Sequence, residues 1–212
     1  MRIEKPSRKK EQAVETKKKL YESAGKLFSQ YDFDDVSVDA IVEAAGVSKG
    51  TFYVHFESKD ALIASFLNNY VSSVDADYKA HLAMLPAETK ASDMLLSLIG
   101  KISDVLTGII GCERMKTVYK VQLTGAINME AVKGYNRELY KMFADVLGRG
   151  IQQGEFKTEL PLDALTRHFV MAIRGLSYEW CIRYPDFDLK EQALMHFRIL
   201  LDGIGVKAFK DN

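Results

Sequence analysis

Apolar residues in this chain recur three and four positions apart almost from end to end, and that spacing restricts the possible folds more than any other feature does. Leu20, Ala24, Leu27, Phe28 and Tyr31 follow one another at i, i+4, i+7, i+8 and i+11, the pattern of one face of an α-helix rather than the alternation of a half-buried strand. Only four prolines and fourteen glycines interrupt 212 residues. The expected fold class is therefore all-α. With 47% hydrophobic residues the chain can bury a sizeable core, as one large domain or as a small head joined to a larger body.

Cap residues divide the helical pattern. The first helix is expected over about 11–31, with a break at 32–36. Ser37 then stands where its hydroxyl accepts from a free N–H of a short helix running to Ala45, and Asp39 suits the positive end of that helix. Gly46 stops it, Ser48 caps a second short helix, and Ser58 opens a long one reaching about Leu82. Beyond Pro86 the spacing predicts helices over about 90–106, 113–123, 129–153, 162–184 and 189–206. Their joints fall at Gly108 to Gly111, at Asn128 as a cap, at Gly154, at Pro161 in a first turn, and at Pro185-Asp186.

The formal net charge is zero, but its distribution is uneven: residues 1–30 carry nine Lys/Arg against four Asp/Glu, and residues 31–60 carry two against seven. A basic arm, Lys5-Pro-Ser-Arg8-Lys9-Lys10, and Lys17-Lys18-Lys19 after it, suit phosphates or a solvated surface equally. Apolar runs such as Met94 to Ile99 are far shorter than a bilayer span, and Met1 begins a charged stretch without a signal-peptide core. A cytoplasmic address without membrane contact is the expectation. Cys112 and Cys181 lie far apart without CxxC company and read as small core hydrophobes. His168 and His196 lack ligand partners at metal spacing, so neither metal nor other cofactor is expected. No nucleophile elbow, P-loop, HExxH or glycine fingerprint is present, which argues against an enzyme.

Function concentrates in two short helices joined by Gly46-Val47, the composition of a helix-turn-helix whose second helix enters the major groove. In Ser48-Lys-Gly-Thr-Phe-Tyr-Val-His-Phe-Glu-Ser-Lys59 the donors Lys49, Thr51, Tyr53, His55 and Lys59 are set among the packing anchors Phe52 and Phe56. Lys49 and Lys59 sit in first helical turns, where the dipole disfavours a cation, which points to an anion docked there. Gly50 lets the backbone approach closely at about 1 kcal/mol in helix propensity. The run from Val36 to Leu62 resembles the head of the tetracycline-repressor (TetR) family, and with the helix before it the likeness covers about residues 12–65. The resemblance implies homodimers whose paired recognition helices read a palindromic double-stranded DNA operator. By position, Ser37, Tyr53, His55 and Lys59 resemble the family's phosphate contacts, and Lys49, Gly50 and Thr51 its groove-facing residues. Two departures stand out. Asp32 takes a place where glycine is frequent, and Asp39 one where some members carry a basic base-reading residue.

The resemblance further implies a helix-turn-helix domain over 1–57, with its arm at 1–10, and a connecting helix plus effector-binding and dimerisation domain over 58–212. The expected activity is that of a ligand-responsive repressor released by a small molecule. The alternative is a helical adaptor of the same fold that has lost DNA binding. Met84, Met115, Tyr119, Met142, Phe143 and Trp180 suit an adaptable apolar pocket as well as a filled core. The stripes containing Leu165, Phe169, Ile173, Gly175 and Leu176, and then Phe197 and Leu201, suit a four-helix dimer bundle. Effector, operator and regulated genes are not legible in the residues.

Overall fold

A computed structural model describes residues 8–125 and 130–206. The arm up to Ser7, the expected cap Asn128, and Met129 lie outside the described residues. The elements are α1 (Arg8–Gln30), α2 (Val38–Ala45), α3 (Lys49–His55), α4 (Lys59–Ala83), α5 (Ala91–Asp104), a π-helical turn (Val105–Ile110), α6 (Cys112–Thr124), α7 (Glu130–Lys133), α8 (Glu138–Gln152), α9 (Leu162–Arg183) and α10 (Leu189–Ile204). The fold class is all-α, as the periodicity implies. Among the described residues no single helix is long and apolar enough to cross a membrane.

Two compact units emerge. The first takes in the chain up to Asn69 together with the segment from Lys120, and the second holds the rest. In the first, Leu20, Ala24 and Phe28 of α1 are buried with Phe33, Val36, Ile41, Phe52, Phe56 and Leu62. The rings of Phe28 and Phe33 meet edge to face at 4.7 Å. Three expected caps are in place. The Ser37 hydroxyl accepts from the Ala40 N–H at 3.1 Å, that of Ser48 from Thr51 at 3.1 Å, and that of Ser58 from Ala61 at 3.0 Å. Gly46 takes the left-handed conformation, φ 65°, that ends α2, which a side chain would strain. Tyr31, expected on the apolar stripe of the first helix, is instead 55% exposed beyond the helix end.

In the second unit Leu95, Leu98 and Ile99 of α5 pack with Phe143 and Leu147 of α8, Phe169 and Ile173 of α9, and Phe197 and Leu201 of α10. Residues 155–157 return alongside 204–206 through an antiparallel bridge between Phe156 and Gly205. The Glu155 carboxylate there accepts from the first N–H groups of α5, Ala91 at 2.7 Å and Ser92 at 3.0 Å, and from the Ser92 hydroxyl. It thereby acts as a cap delivered from a distance. Burial pushes the Glu155 carboxyl upward, but these donors outweigh burial and hold it below its ordinary value.

Three expectations need correction. The helix expected over 129–153 is broken at 134–137. The Arg137 side chain leaves that break to grip Asp75 of α4 in a bidentate pair, Nε to Oδ2 at 2.9 Å and Nη2 to Oδ1 at 2.7 Å. The helix expected over 90–106 changes to a π-turn at Val105, where the Ser103 and Thr107 hydroxyls donate to carbonyls one turn back, Ile99 and Ser103, at 2.9 Å each. Such back-bonding loosens and bends the ladder. Finally, Leu165, Phe169, Ile173, Phe197 and Leu201, expected to face a second subunit, are at most 5% exposed and fill the core of their own body. A stripe's periodicity identifies a buried face but not what buries it.

Candidate nucleic-acid interface

The α3 helix is short, and its buried contact is made by Phe52, against which Phe56 and Tyr53 pack with ring centroids at 5.7 Å and 5.3 Å. At about 100° per residue, the side opposite Phe52 is formed by Gly50 and Val54, with Tyr53 and Thr51 on its flanks. Gly50 is exposed and Val54 is 80% exposed. Tyr53 is 51% exposed. A Cβ added at Gly50 would meet only the Ser48 hydroxyl, at 3.8 Å, so nothing in the head requires glycine there. Val54 was not singled out from the sequence. Its signal is the wheel position four residues beyond Gly50, which leaves a large apolar side chain facing outward.

The two lysines differ. Lys49 is exposed, and its ammonium lies 2.8 Å from Asp39 of α2, a hydrogen bond that raises its pKa, with the carboxylate charge adding to the effect. The Lys59 ammonium donates to two carbonyls of the loop after α1, Phe33 at 3.0 Å and Asp34 at 3.3 Å. A cation in either first helical turn therefore needs no docked anion, contrary to expectation: each lysine has a partner inside the head. Asp39, in the place where some members of the family carry a basic base-reading residue, balances Lys49 instead. Asp34 was likewise not singled out, although the acid excess of residues 31–60 was visible. Its carboxylate pairs with Lys120, from the end of α6, at 3.1 Å. Ser37 is exposed and occupied as a cap, and His55 is half-buried at the end of α3.

The six residues considered for a pocket do not come together. Met115 and Trp180 share a cluster with Cys112, Cys181 and Leu189, with Tyr119 packed against it. The Tyr119 hydroxyl donates to the Arg174 carbonyl at 3.3 Å, and burial pushes its pKa up. Met142 and Phe143 belong to the main core. Met84 is corrected: it is 84% exposed, because it lies past the end of α4, where no neighbour covers it. A cleft of about 370 Å³ opens between Thr107, Gly111 and Cys112 on one side and Trp180, Tyr184 and Phe187 on the other.

On α9 and α10 the outward residues include Met171, Gly175, Tyr178 and Ile182, spaced i, i+4, i+7 and i+11, and then Met195 and Ile199. Leu176 is half-buried, and a Cβ at Gly175 would meet nothing within 4 Å.

The family described as bacterial regulatory proteins, tetR family, matches residues 20–66. The chain is 27% identical over 205 residues to the HTH-type transcriptional regulator AcrR of Shigella flexneri, covering 91% of each chain. Its fold is similar to that of a TetR-family transcriptional regulator from Pectobacterium atrosepticum, with a TM-score of 0.75 at 19% identity over 95% of this chain and 99% of that one. It is also similar to FadR of Thermus thermophilus, a TetR-family transcriptional repressor solved with lauroyl-CoA. There the TM-score is 0.70 at 19% identity, over 92% and 98% of the chains.

Proposed function

We propose that this chain, whose residues 20–66 match the family described as bacterial regulatory proteins, tetR family, is a DNA-binding transcription regulator of that family rather than an enzyme, and that it represses transcription as a homodimer on a palindromic operator and is released by a small molecule. The observation that carries the reading is the outward side of α3: a bare Gly50 and an apolar Val54 flanked by Thr51 and Tyr53, with Lys49 exposed at the helix start. Gly50 leaves room for the groove, Val54 suits a thymine methyl, and the flanking donors suit base edges and phosphates. One such helix reads only a few base pairs, so a two-fold dimer doubles the reading into inverted half-sites.

The outward stripe of α9 with Met195 and Ile199 is the surface proposed to meet its symmetry mate. The effector is proposed to be partly apolar and to enter beside Trp180 and Tyr119, as the lauroyl-CoA held by the Thermus protein illustrates for a body of this fold. Trp180 is the sole tryptophan, so its fluorescence reports occupancy directly. The test is footprinting with purified protein on its own upstream DNA over a range of salt concentrations. A protected dyad whose binding weakens steeply with salt is expected. A site without an inverted repeat, bound by one subunit, would overturn dimer and operator together, and no binding at any salt would favour the adaptor reading.

A further inference from the structure

Cys112 opens α6 and Cys181 lies near the end of α9, sixty-nine positions apart in sequence, yet both are buried in one small cluster with Met115, Trp180 and Leu189. Among the groups that act on the Cys181 thiol, Cys112 is one. Neither carries a disulfide. Cys112, 7% exposed, also lines the cleft formed with Thr107, Gly111 and Trp180. Behind it, Cys181 is 5% exposed and away from that lining.

We propose that Cys112 and Cys181 form a peroxide-sensing dithiol, in which a hydroperoxide entering the cleft converts the pair into an intramolecular disulfide. Burial, together with the charge and hydrogen bonding of Cys112, pushes the Cys181 thiol up to about 12. Cys181 therefore keeps its proton, which leaves Cys112, the residue that lines the cleft, as the nucleophile. The Cys112 thiolate attacks the terminal peroxide oxygen and the O–O bond breaks. The alkoxide (hydroxide, if the oxidant is hydrogen peroxide) leaves with a proton from solvent, and Cys112 becomes a sulfenic acid. The Cys181 sulfur then attacks that sulfenic sulfur, its proton leaves with the hydroxyl as water, and the S–S bond closes. The two sulfurs lose two electrons, which the peroxide takes up.

The disulfide would tie the first residue of α6 to the end of α9. Near its other end α6 carries Lys120, which pairs with Asp34 in the DNA-binding unit. The sensing claim thus rests on the operator-binding reading, whereas the chemistry does not. In the test, folded full-length protein is titrated with hydrogen peroxide and followed by intact and peptide mass spectrometry. Expected are joint loss of both thiols, a mass loss of two hydrogens, a linked 112–181 peptide and full recovery with dithiothreitol. Cys181→Ala should stop at a sulfenic acid on Cys112 that dimedone traps. Cys112→Ala should leave Cys181 unmodified. Where either variant misfolds, dimedone trapping on the native chain at early times reports the order of attack instead. Operator affinity should fall about tenfold on oxidation. A disulfide between two chains, first attack at Cys181, or oxidation no faster folded than in urea overturns the chemistry. Equal affinity of reduced and oxidised protein for an operator overturns the sensing. A protein that binds no DNA in either state refutes the operator reading and leaves the thiol chemistry to be judged by the mass arms.

Discussion

Lys49 and Lys59 stand in matching positions at the starts of two helices, and only their partners separate them. Because the Lys59 ammonium holds the Phe33 and Asp34 carbonyls, Lys59→Ala is expected to cost about 1 kcal/mol of head stability, read as a lower urea midpoint, besides any loss of affinity. Lys49→Ala should leave the urea midpoint unchanged and flatten preference among operator variants. Equal loss on all DNA sequences would reassign Lys49 to the backbone. Gly50→Ala separates fold from function further. With no atom closer than 3.8 Å to the added Cβ, the helix should gain up to about 1 kcal/mol while operator affinity falls, and unimpaired binding would exclude close approach at this position. The donors were legible because residue type and spacing suffice to identify them. The partners Asp39 and Asp34 were not, since the packing of α2 on α3 and the arrival of Lys120 depend on contacts between residues distant in sequence.

At the level of the helix, caps were local and therefore readable, whereas interruptions were imposed from afar. Nothing around Gly134 to Arg137 announces that Asp75, sixty-two positions earlier, will draw the arginine out of a continuous helix. Asp75 is 4% exposed and the Arg137 side chain 13%, so removing one partner leaves the other buried and uncompensated. Arg137→Ala is expected to lose about 3–5 kcal/mol in chemical denaturation, and a loss under 1 kcal/mol would show that water reaches Asp75. Glu155 is a second case of a distant residue finishing a helix. Its carboxyl is held below the ordinary value, so its contribution is complete above the unfolded value of 4.5 and disappears as pH falls through the lower folded value. Glu155→Gln should therefore flatten that part of the stability profile below about pH 4.5, while near neutrality it costs about 1 kcal/mol through the weakened cap. A variant whose acid profile matches the parent would remove Glu155 from the account.

Across the whole molecule, the all-helical class and the helix-turn-helix were legible because both rest on short-range spacing, while the outer surface was not. Leu165 and Met171 are equally apolar in sequence, and only packing sends the first inward and the second out, 3% against 53% exposed. Gly175 discriminates cleanly between the two readings, since a side chain there meets nothing within its own chain. Gly175→Leu should fold with unchanged thermal stability at high dilution, yet run as a monomer in light scattering and bind its operator far more weakly, because a second linked head supplies much of the avidity. A dimer of normal affinity would move the interface off α9. The unit that holds the helix-turn-helix is not one stretch of chain, for it takes in residues from Lys120 as well as those up to Asn69, with Lys120 pairing to Asp34. A recombination that joins this head to a foreign body at a single crossover would therefore strand Asp34 without its cation. A head transplanted by itself is therefore expected to need the stretch from Lys120 carried along with it, since that stretch belongs to its own compact unit.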